Sequence, residues 1–372
     1  MKYCKRCVMP ETRPGIKFDE NGVCYPCLNV EKRKKTDWTK RAEELKILCD
    51  KYRRNDGYYD CIIPVSGGKD SHFQTYVMKE IYKMHPLLVS VCDWFTHTKA
   101  GEHNIRNICE AFDCDLLRFN TSPLTLKKMI RISFEEFLAP TWPIDLAIYS
   151  VPLKIAYQMK IPFIIYGENI AYEYGGPDAK ETYSAKDQIK NDVVKEIDWN
   201  WWFERGVTKK KIEYIKYPLK EILDTLEPIY LSYFYPWDGM KNYQIAKRFG
   251  FHDSNGEWNR EGFIENYDQI DSIGYVIHAQ LKYPKFGHQR ATDVACYWIR
   301  NGYITREEGI KLVKENDHKF DPKSVEDFCY FTGYSEKEFF EVVERFYNKD
   351  IFEKTDCGWK LKDPIWEQEK IR

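Results

Sequence analysis

The stretch Val65-Ser66-Gly67-Gly68-Lys69-Asp70-Ser71 constrains this chain more than any other. It follows an apolar run, Cys61 to Val65, that reads as a buried strand. It precedes His72 to Met84, where Phe73, Tyr76, Val77 and Ile81 recur at helical spacing. A strand, a glycine-rich turn and a helix start, in that order, make an anion cradle: backbone N–H groups converge on one spot and the helix dipole adds positive potential. Gly67 and Gly68 let the backbone approach a phosphate closely. Ser66 and Ser71 add hydroxyl donors, and Lys69 adds a cation. The string is not a Walker loop, because Asp70 stands where that motif places a hydroxyl.

Strand-like and helix-like runs alternate beyond the loop. Leu87 to Asp93, Leu116 to Phe119, Ile161 to Tyr166 and Ile229 to Tyr233 read as strands. Thr39 to Arg53, His103 to Phe112, Leu124 to Leu138, Leu146 to Met159, Leu219 to Leu226 and Met240 to Phe249 read as helices. The expected fold is α/β, a doubly wound and mostly parallel sheet. A small N-terminal metal module at 1–36 precedes this domain at 37–250, and a mostly helical region follows at 251–372. Helices are expected there at Val294 to Ile299, Ile304 to Val313 and Ser335 to Phe346. Ligands of such sheets bind beyond the carboxyl ends of the strands, so the loops 66–71, 93–101 and 167–176 should converge. Asp93 and Thr98 then become candidates for the nucleotide side. Asp70 and Glu168 are candidate hard-oxygen ligands for Mg²⁺.

At the N-terminus, Cys4-x-x-Cys7 and Cys24-x-x-Cys27 can place four thiolates around one tetrahedral ion, in a segment too short and loop-rich to hold its shape alone. Zn²⁺ is the expected occupant, with an iron–sulfur cluster as the rival. The following run Glu31-Lys32-Arg33-Lys34-Lys35 reads as a solvated linker or helix face. Charge is balanced, 57 Lys and Arg against 58 Asp and Glu, which gives no global field for nucleic acid or a membrane. No apolar run reaches membrane-spanning length, and the start Met1-Lys2-Tyr3-Cys4-Lys5 lacks a signal-peptide core. The expectation is a cytoplasmic protein with its twelve cysteines mostly reduced or metal-bound.

Ser-Gly-Gly-Lys-Asp-Ser resembles the pyrophosphate loop (PP-loop) of the ATP pyrophosphatase superfamily. That resemblance implies ATP cleavage to AMP and pyrophosphate, with Ser66, Gly67, Gly68, Lys69, Asp70, Ser71 and Asp93 at the nucleotide and Lys69, Asp70 and Glu168 in catalysis. Three further strings narrow it: Gly167-Glu168-Asn169, Glu173-Tyr174-Gly175-Gly176, and Lys285-Phe286-Gly287-His288-Gln289-Arg290-Ala291-Thr292-Asp293 leading into Tyr297 to Gly309. Together with the cysteine quartet they resemble the N-acetyl sugar amidotransferase family of bacterial O-antigen and flagellin-glycan synthesis. The resemblance implies conversion of an acetamido sugar to an acetamidino sugar and ammonia from a separate glutaminase subunit. Asn169, Glu173, Tyr174, His288 and Arg290 are the substrate-binding candidates; Arg290 offers a fork for an acidic group. No Gly-x-Cys-x-Gly elbow is present to make ammonia in this chain. The rival reading is a tRNA thiolation enzyme, which shares the outline of cysteine knuckles and pyrophosphate loop. It is disfavoured because Ala139 to Ile144, before the fourth strand, has no cysteine and the surface charge is neutral.

Overall fold

In a computed structural model, residues 1–175, 179–188 and 198–368 are described. Five strands form one parallel sheet: β1 (Cys61–Pro64), β2 (Pro86–Cys92), β3 (Leu116–Asn120), β4 (Phe163–Tyr166) and β5 (Glu227–Tyr230), in the order β3-β2-β1-β4-β5. The strands read as continuous apolar runs because both faces are covered. Ile63, Leu88, Phe163 and Ile165 pack under the helices Trp38–Tyr52, Lys69–Tyr76 and Lys99–Phe112. Ile62, Leu87, Val89 and Ile164 point the other way, onto the helix Trp142–Met159. Trp202, from the tryptophan cluster, is fully buried in this second layer.

Two elements of the sheet domain differ from expectation. The helix after the phosphate loop is α-helical only over Lys69–Tyr76 and continues as a π-helical turn, Val77–Ile81. The fifth strand begins earlier and ends at Tyr230, where the chain turns into a short helix, Leu231–Phe234. That turn has a purpose: the Ser232 N–H donates to Gly167 O at 2.9 Å, and the Ser232 hydroxyl accepts from the Asn169 N–H at 3.1 Å. It thereby fixes the loop that leaves β4.

The C-terminal region is mostly helical, with Arg290–Asn301, Arg306–Asn316, Pro322–Thr332 and Glu336–Glu344 as its main helices. It also holds an antiparallel hairpin that the sequence reading missed, β6 (Phe352–Thr355) and β7 (Gly358–Leu361). Cores run across the expected boundary at 250. Phe95, Ile130 and Phe134 share one cluster with Phe328, Phe339 and Val343. The cysteine module packs on Ala295, Cys296 and Val313 rather than on the helix that follows it. Among the described residues, no helix is long and apolar enough to cross a membrane.

Candidate active site

β1 delivers the chain to the phosphate loop, and the hydroxyls expected to face a ligand also tie the turn. The Ser66 N–H donates to Ser71 Oγ at 3.0 Å, and the Gly68 N–H to Ser66 Oγ at 3.2 Å. Gly67 has φ of +91°, and a Cβ there would lie 2.9 Å from the Ile105 nitrogen, so only glycine fits. In the observed strand order, β1 and β4 are the neighbours from which the crossovers diverge. Ser66 and Glu168 therefore flank the switch-point crevice where doubly wound sheets bind ligands.

Lys69 is buried, with 4% of its surface exposed. Its ammonium donates to Asp70 at 2.6 Å and pairs with Asp268. Asp268 accepts from Arg290 at 2.7 Å, Arg290 lies 3.8 Å from Glu265, and Glu265 pairs with Arg260 at 3.0 Å. Charges of alternating sign thus run from the phosphate loop into the C-terminal region. Burial works against the Lys69 ammonium, but Asp268 and Asp70 outweigh it and hold its pKa well above the ordinary lysine value. Burial likewise disfavours ionised Asp268, yet Lys69 and Arg290 keep that carboxyl below its usual range. Asp70 is further held by Asn242 Nδ2 at 2.8 Å.

Glu168 stands at the junction of this network and a larger cavity. Its carboxylate makes no hydrogen bond with a described residue. Burial, then the charges of Asp70 and Glu173, push its pKa up to about 8. A crowded carboxylate with free oxygens is a fitting donor for a divalent cation. Asp70 is less so, since Lys69 and Asn242 already occupy both its oxygens.

The larger cavity has a volume of about 530 Å³ and is walled by three parts of the chain. Its phosphate-loop end includes Ser66, Asp93, Ile105 and Arg118; its far end includes Arg13, Phe286, Lys282 and His288; Asp145, Tyr149 and Tyr275 lie along its wall. The C-terminal region reaches the first end by pairing with the loop after β2. His97 and Ser272 form an antiparallel bridge, the Ile273 N–H donates to Thr96 O at 2.8 Å, and the Thr98 N–H to Asp271 O at 3.1 Å. Gly101 makes this approach feasible, because a Cβ there would lie 2.5 Å from Asp271 O.

Three further carboxyls in the cavity carry raised pKa values, whereas Asp293 beside Lys282 is held below the ordinary range. Asp93 accepts from the Phe95 N–H at 2.9 Å and from Ser272 Oγ at 2.7 Å, and burial raises it. Asp271 is pushed up to about 7 by burial and by Asp93, and its Oδ1 is buried without a partner. Burial also pushes Asp145 up to about 7, although Tyr275 donates to it at 2.8 Å and Thr141 at 3.1 Å.

Of the substrate-side residues expected from sequence, Tyr174, His288 and Arg290 line the cavity. Asn169 and Glu173 do not. Asn169 caps the helix Ile170–Tyr174 and donates to Lys180 O at 3.2 Å. Glu173 pairs with Arg33, which also lies over the Tyr172 ring at 4.8 Å. Arg33 is therefore a packing residue rather than part of a solvated basic run. Thr98 is a helix cap, accepting from the Gly101 N–H at 2.8 Å and donating to Ile270 O. Gly176 lies outside the described residues. Asp268, Asp271, Asp145, Tyr275 and Arg13 were missed; the only sequence signal was the carboxylate-rich string Asp268-Gln269-Ile270-Asp271-Ser272, which reads as an ordinary polar loop.

The sulfurs of Cys4, Cys7, Cys24 and Cys27 lie within 4.8 Å of one another, all fully buried. Cys4 and Cys27 are 3.9 Å apart, Cys7 and Cys24 3.7 Å. A tetrahedral ion with metal–sulfur bonds of about 2.3 Å gives sulfur–sulfur edges of about 3.8 Å. The quartet therefore fits one ion. A [4Fe-4S] cluster would give each thiolate its own iron and spread the sulfurs farther apart. N–H groups of Arg6, Cys7 and Cys24 point at Cys4 Sγ from 3.4, 3.5 and 3.2 Å, as a thiolate requires.

Comparison with known proteins adds a family for one region. Residues 261–365 match the family described as LPS biosynthesis protein WbpG-like, C-terminal domain. A curated relative, the uncharacterized protein MJ1599 of Methanocaldococcus jannaschii, is 30% identical over 118 residues; the match spans 32% of this chain and only 42% of the relative. Among solved structures, the NH3-dependent NAD synthetase of Campylobacter jejuni is similar at 14% identity and a TM-score of 0.30, over 58% of this chain and 97% of that one. The U34-tRNA thiolase NcsA of Methanococcus maripaludis, solved with its [4Fe-4S] cluster, is similar at 16% identity and a TM-score of 0.31, over 90% and 96%.

Proposed function

We propose that this chain, whose C-terminal region belongs to the WbpG-like C-terminal domain family of LPS biosynthesis, is the ATP-dependent synthetase of an N-acetyl sugar amidotransferase. One observation carries the reading. The phosphate loop opens into a cavity whose wall includes Asp271, Tyr275, His288 and Arg290, all in the family-matched region. Nucleotide chemistry and the family-defining segment therefore share one site, of a size that holds small-molecule ligands.

In this reading the acetamido oxygen attacks the α-phosphorus of ATP, the bond to the β-phosphate oxygen breaks, and pyrophosphate leaves. The loop N–H groups and Lys69 stabilise the charge that develops on it. Lys69 must exchange Asp268 for phosphate to do so, which ties nucleotide binding to the C-terminal region. Glu168 would hold Mg²⁺, which supplies charge neutralisation to the triphosphate. Ammonia then attacks the carbon of the O-adenylated imidate, the carbon–oxygen bond breaks, and AMP leaves. The amidine retains a proton and is cationic, which suits a cavity lined by Asp93, Asp145, Glu168 and Asp271. No side-chain nucleophile is required.

Ammonia comes, in this proposal, from a separate glutaminase subunit in the cytoplasm. The cysteines fit that assignment. Cys92 lines the cavity but accepts from Arg118 at 3.2 Å, and exposed Cys357 sits on the hairpin turn. The quartet takes zinc and holds the N-terminal module against the C-terminal region, where Arg306 donates to the carbonyls of Cys4 and Cys7 at 3.3 and 3.2 Å.

The test supplies ATP, Mg²⁺, ammonium chloride and a panel of acetamido sugars, and follows pyrophosphate and AMP. Sugar-dependent release, with a product in which mass spectrometry finds an NH group in place of oxygen, is the expected result. Silence across the panel, with turnover on bulk tRNA and a sulfur donor, would replace it with the thiolation reading.

A further inference from the structure

The N-terminal cysteine module does more than stiffen the chain start. Arg13 and Pro14, in the turn between its two cysteine pairs, line the large cavity with Phe286 and His288. Arg13 spends one guanidinium nitrogen on the carbonyls of Pro14 and Gly175, at 3.2 and 2.9 Å. No carboxylate among the described residues lies within ion-pair distance of it. The other cations at this side are already matched: Lys282 pairs with Asp293, and Arg290 with Asp268 and Glu265.

His288 stands beside it. The side chain is buried, with 2% of its surface exposed, and neither ring nitrogen has a hydrogen-bond partner. Both nitrogens belong to a residue that lines the cavity. An unmade hydrogen bond in a buried place costs free energy, so this ring has hydrogen-bonding capacity left for a partner. Burial pushes the His288 pKa down to about 3, and Lys282 and Arg13 press in the same direction while Asp293 opposes them. The ring is therefore neutral and offers one donor and one acceptor. That pair suits a sugar hydroxyl or an amide, and the unpaired guanidinium suits an anion.

We propose that Arg13 and His288 form the recognition subsite for an anionic group and its neighbouring polar group on the acetamido sugar. This rests on the amidotransferase reading above. The anion is a carboxylate on the sugar or the diphosphate of a nucleotide-linked sugar. Specificity for the acidic substrate is then set by the cysteine module, while Arg290 serves the internal ion-pair network.

Calorimetric titration of the full-length protein, with a non-hydrolysable ATP analogue present, tests this with three probes: UDP-N-acetylglucosamine, its uronic-acid counterpart and N-acetylneuraminate. Arg13→Ala should weaken an anionic probe at least tenfold and leave the ATP analogue within twofold, with Arg13→Lys in between. Tighter binding of the uronic acid than of UDP-N-acetylglucosamine, with measurable N-acetylneuraminate binding, assigns the carboxylate. Equal binding of both UDP-sugars, with none of N-acetylneuraminate, assigns the diphosphate. Binding that depends on Arg13 without any amidine formation upholds the subsite and removes the reaction. Binding of every probe unchanged in Arg13→Ala, or an equal loss for the ATP analogue, or no binding of any probe to the unaltered protein, overturns the proposal.

Discussion

At the phosphate-loop end of the site Lys69 meets Asp70 and Asp268, Asp268 meets Arg290, and Arg290 meets Glu265. At the far end of the large cavity no carboxylate among the described residues lies within ion-pair distance of Arg13, although Asp293 feels its charge, and both nitrogens of His288 are unpartnered. At the first end each of these cations already has an anionic partner, which a ligand of high charge has to displace. The second is organised but unsatisfied, and a ligand completes it. A triphosphate suits the first requirement, because it replaces the carboxylates around Lys69 with stronger anionic partners. A sugar suits the second, because its polar groups are many and individually weak.

The largest expected effect breaks the first end. Lys69→Ala should lower the rate of pyrophosphate release by about 10²- to 10³-fold, the loss typical of one preorganised donor at a developing anion. A fall of less than tenfold would mean that the backbone cradle acts alone. Asp268→Asn attacks the same network from the C-terminal side. It leaves the Lys69 and Arg290 cations short of a counter-charge, so urea unfolding should show a loss of about 3 kcal/mol. If stability stays within about 1 kcal/mol, as for an exposed pair, the closed end is no more internally satisfied than the open one.

Removing the metal sharpens the comparison from the other side. Cys7→Ser, or chelation of the purified protein, should loosen the module that carries Arg13 and lower the thermal midpoint by several degrees, since a metal that holds only the folded form adds its binding free energy to stability. Metal analysis should return one zinc per chain. Binding of the ATP analogue should change less than binding of the anionic sugar probes, and an equal loss in both would show that the two ends are not separable.

The sheet and the phosphate loop were legible because their signals are local. Strands buried on both faces are continuous apolar runs, and the anion cradle is one unbroken string of residues. The far end was hardly legible. Arg13 lies among Pro10, Pro14 and Gly15 in a segment without periodicity. The 268–272 segment reaches the nucleotide side by pairing with 96–98 and through Asp268 on Lys69, contacts of long sequence separation. Asn169 and Glu173 were read as substrate residues for the same reason, since their partners, Lys180 O and Arg33, cannot be inferred from neighbouring residues. The β6–β7 hairpin was missed because Phe352-Glu353-Lys354-Thr355 and Gly358-Trp359-Lys360-Leu361 bury only Phe352 and Leu361 fully.

The smallest effect concerns protons in the unliganded cavity. Asp145 and Asp271 are each raised to about 7, in both cases chiefly by burial. A free aspartate titrates near 3.9, so between that pH and about 7 the folded state holds protons that the unfolded chain has released. Stability contributed by these groups is therefore fully present below about pH 4 and falls as pH rises to about 7. This is opposite in sign to a salt-bridged carboxylate such as Asp293, whose pKa neighbouring Lys282 holds below the ordinary value against burial. Unfolding free energy of the unliganded protein, measured from pH 5 to pH 8, should decline more steeply than that of Asp145→Asn, whose oxygen still accepts from Tyr275, whose amide can donate to Thr141, and which cannot ionise. Parallel curves for the two proteins would show that Asp145 is ionised in the folded state throughout, and that the cavity wall is wetter than its burial implies.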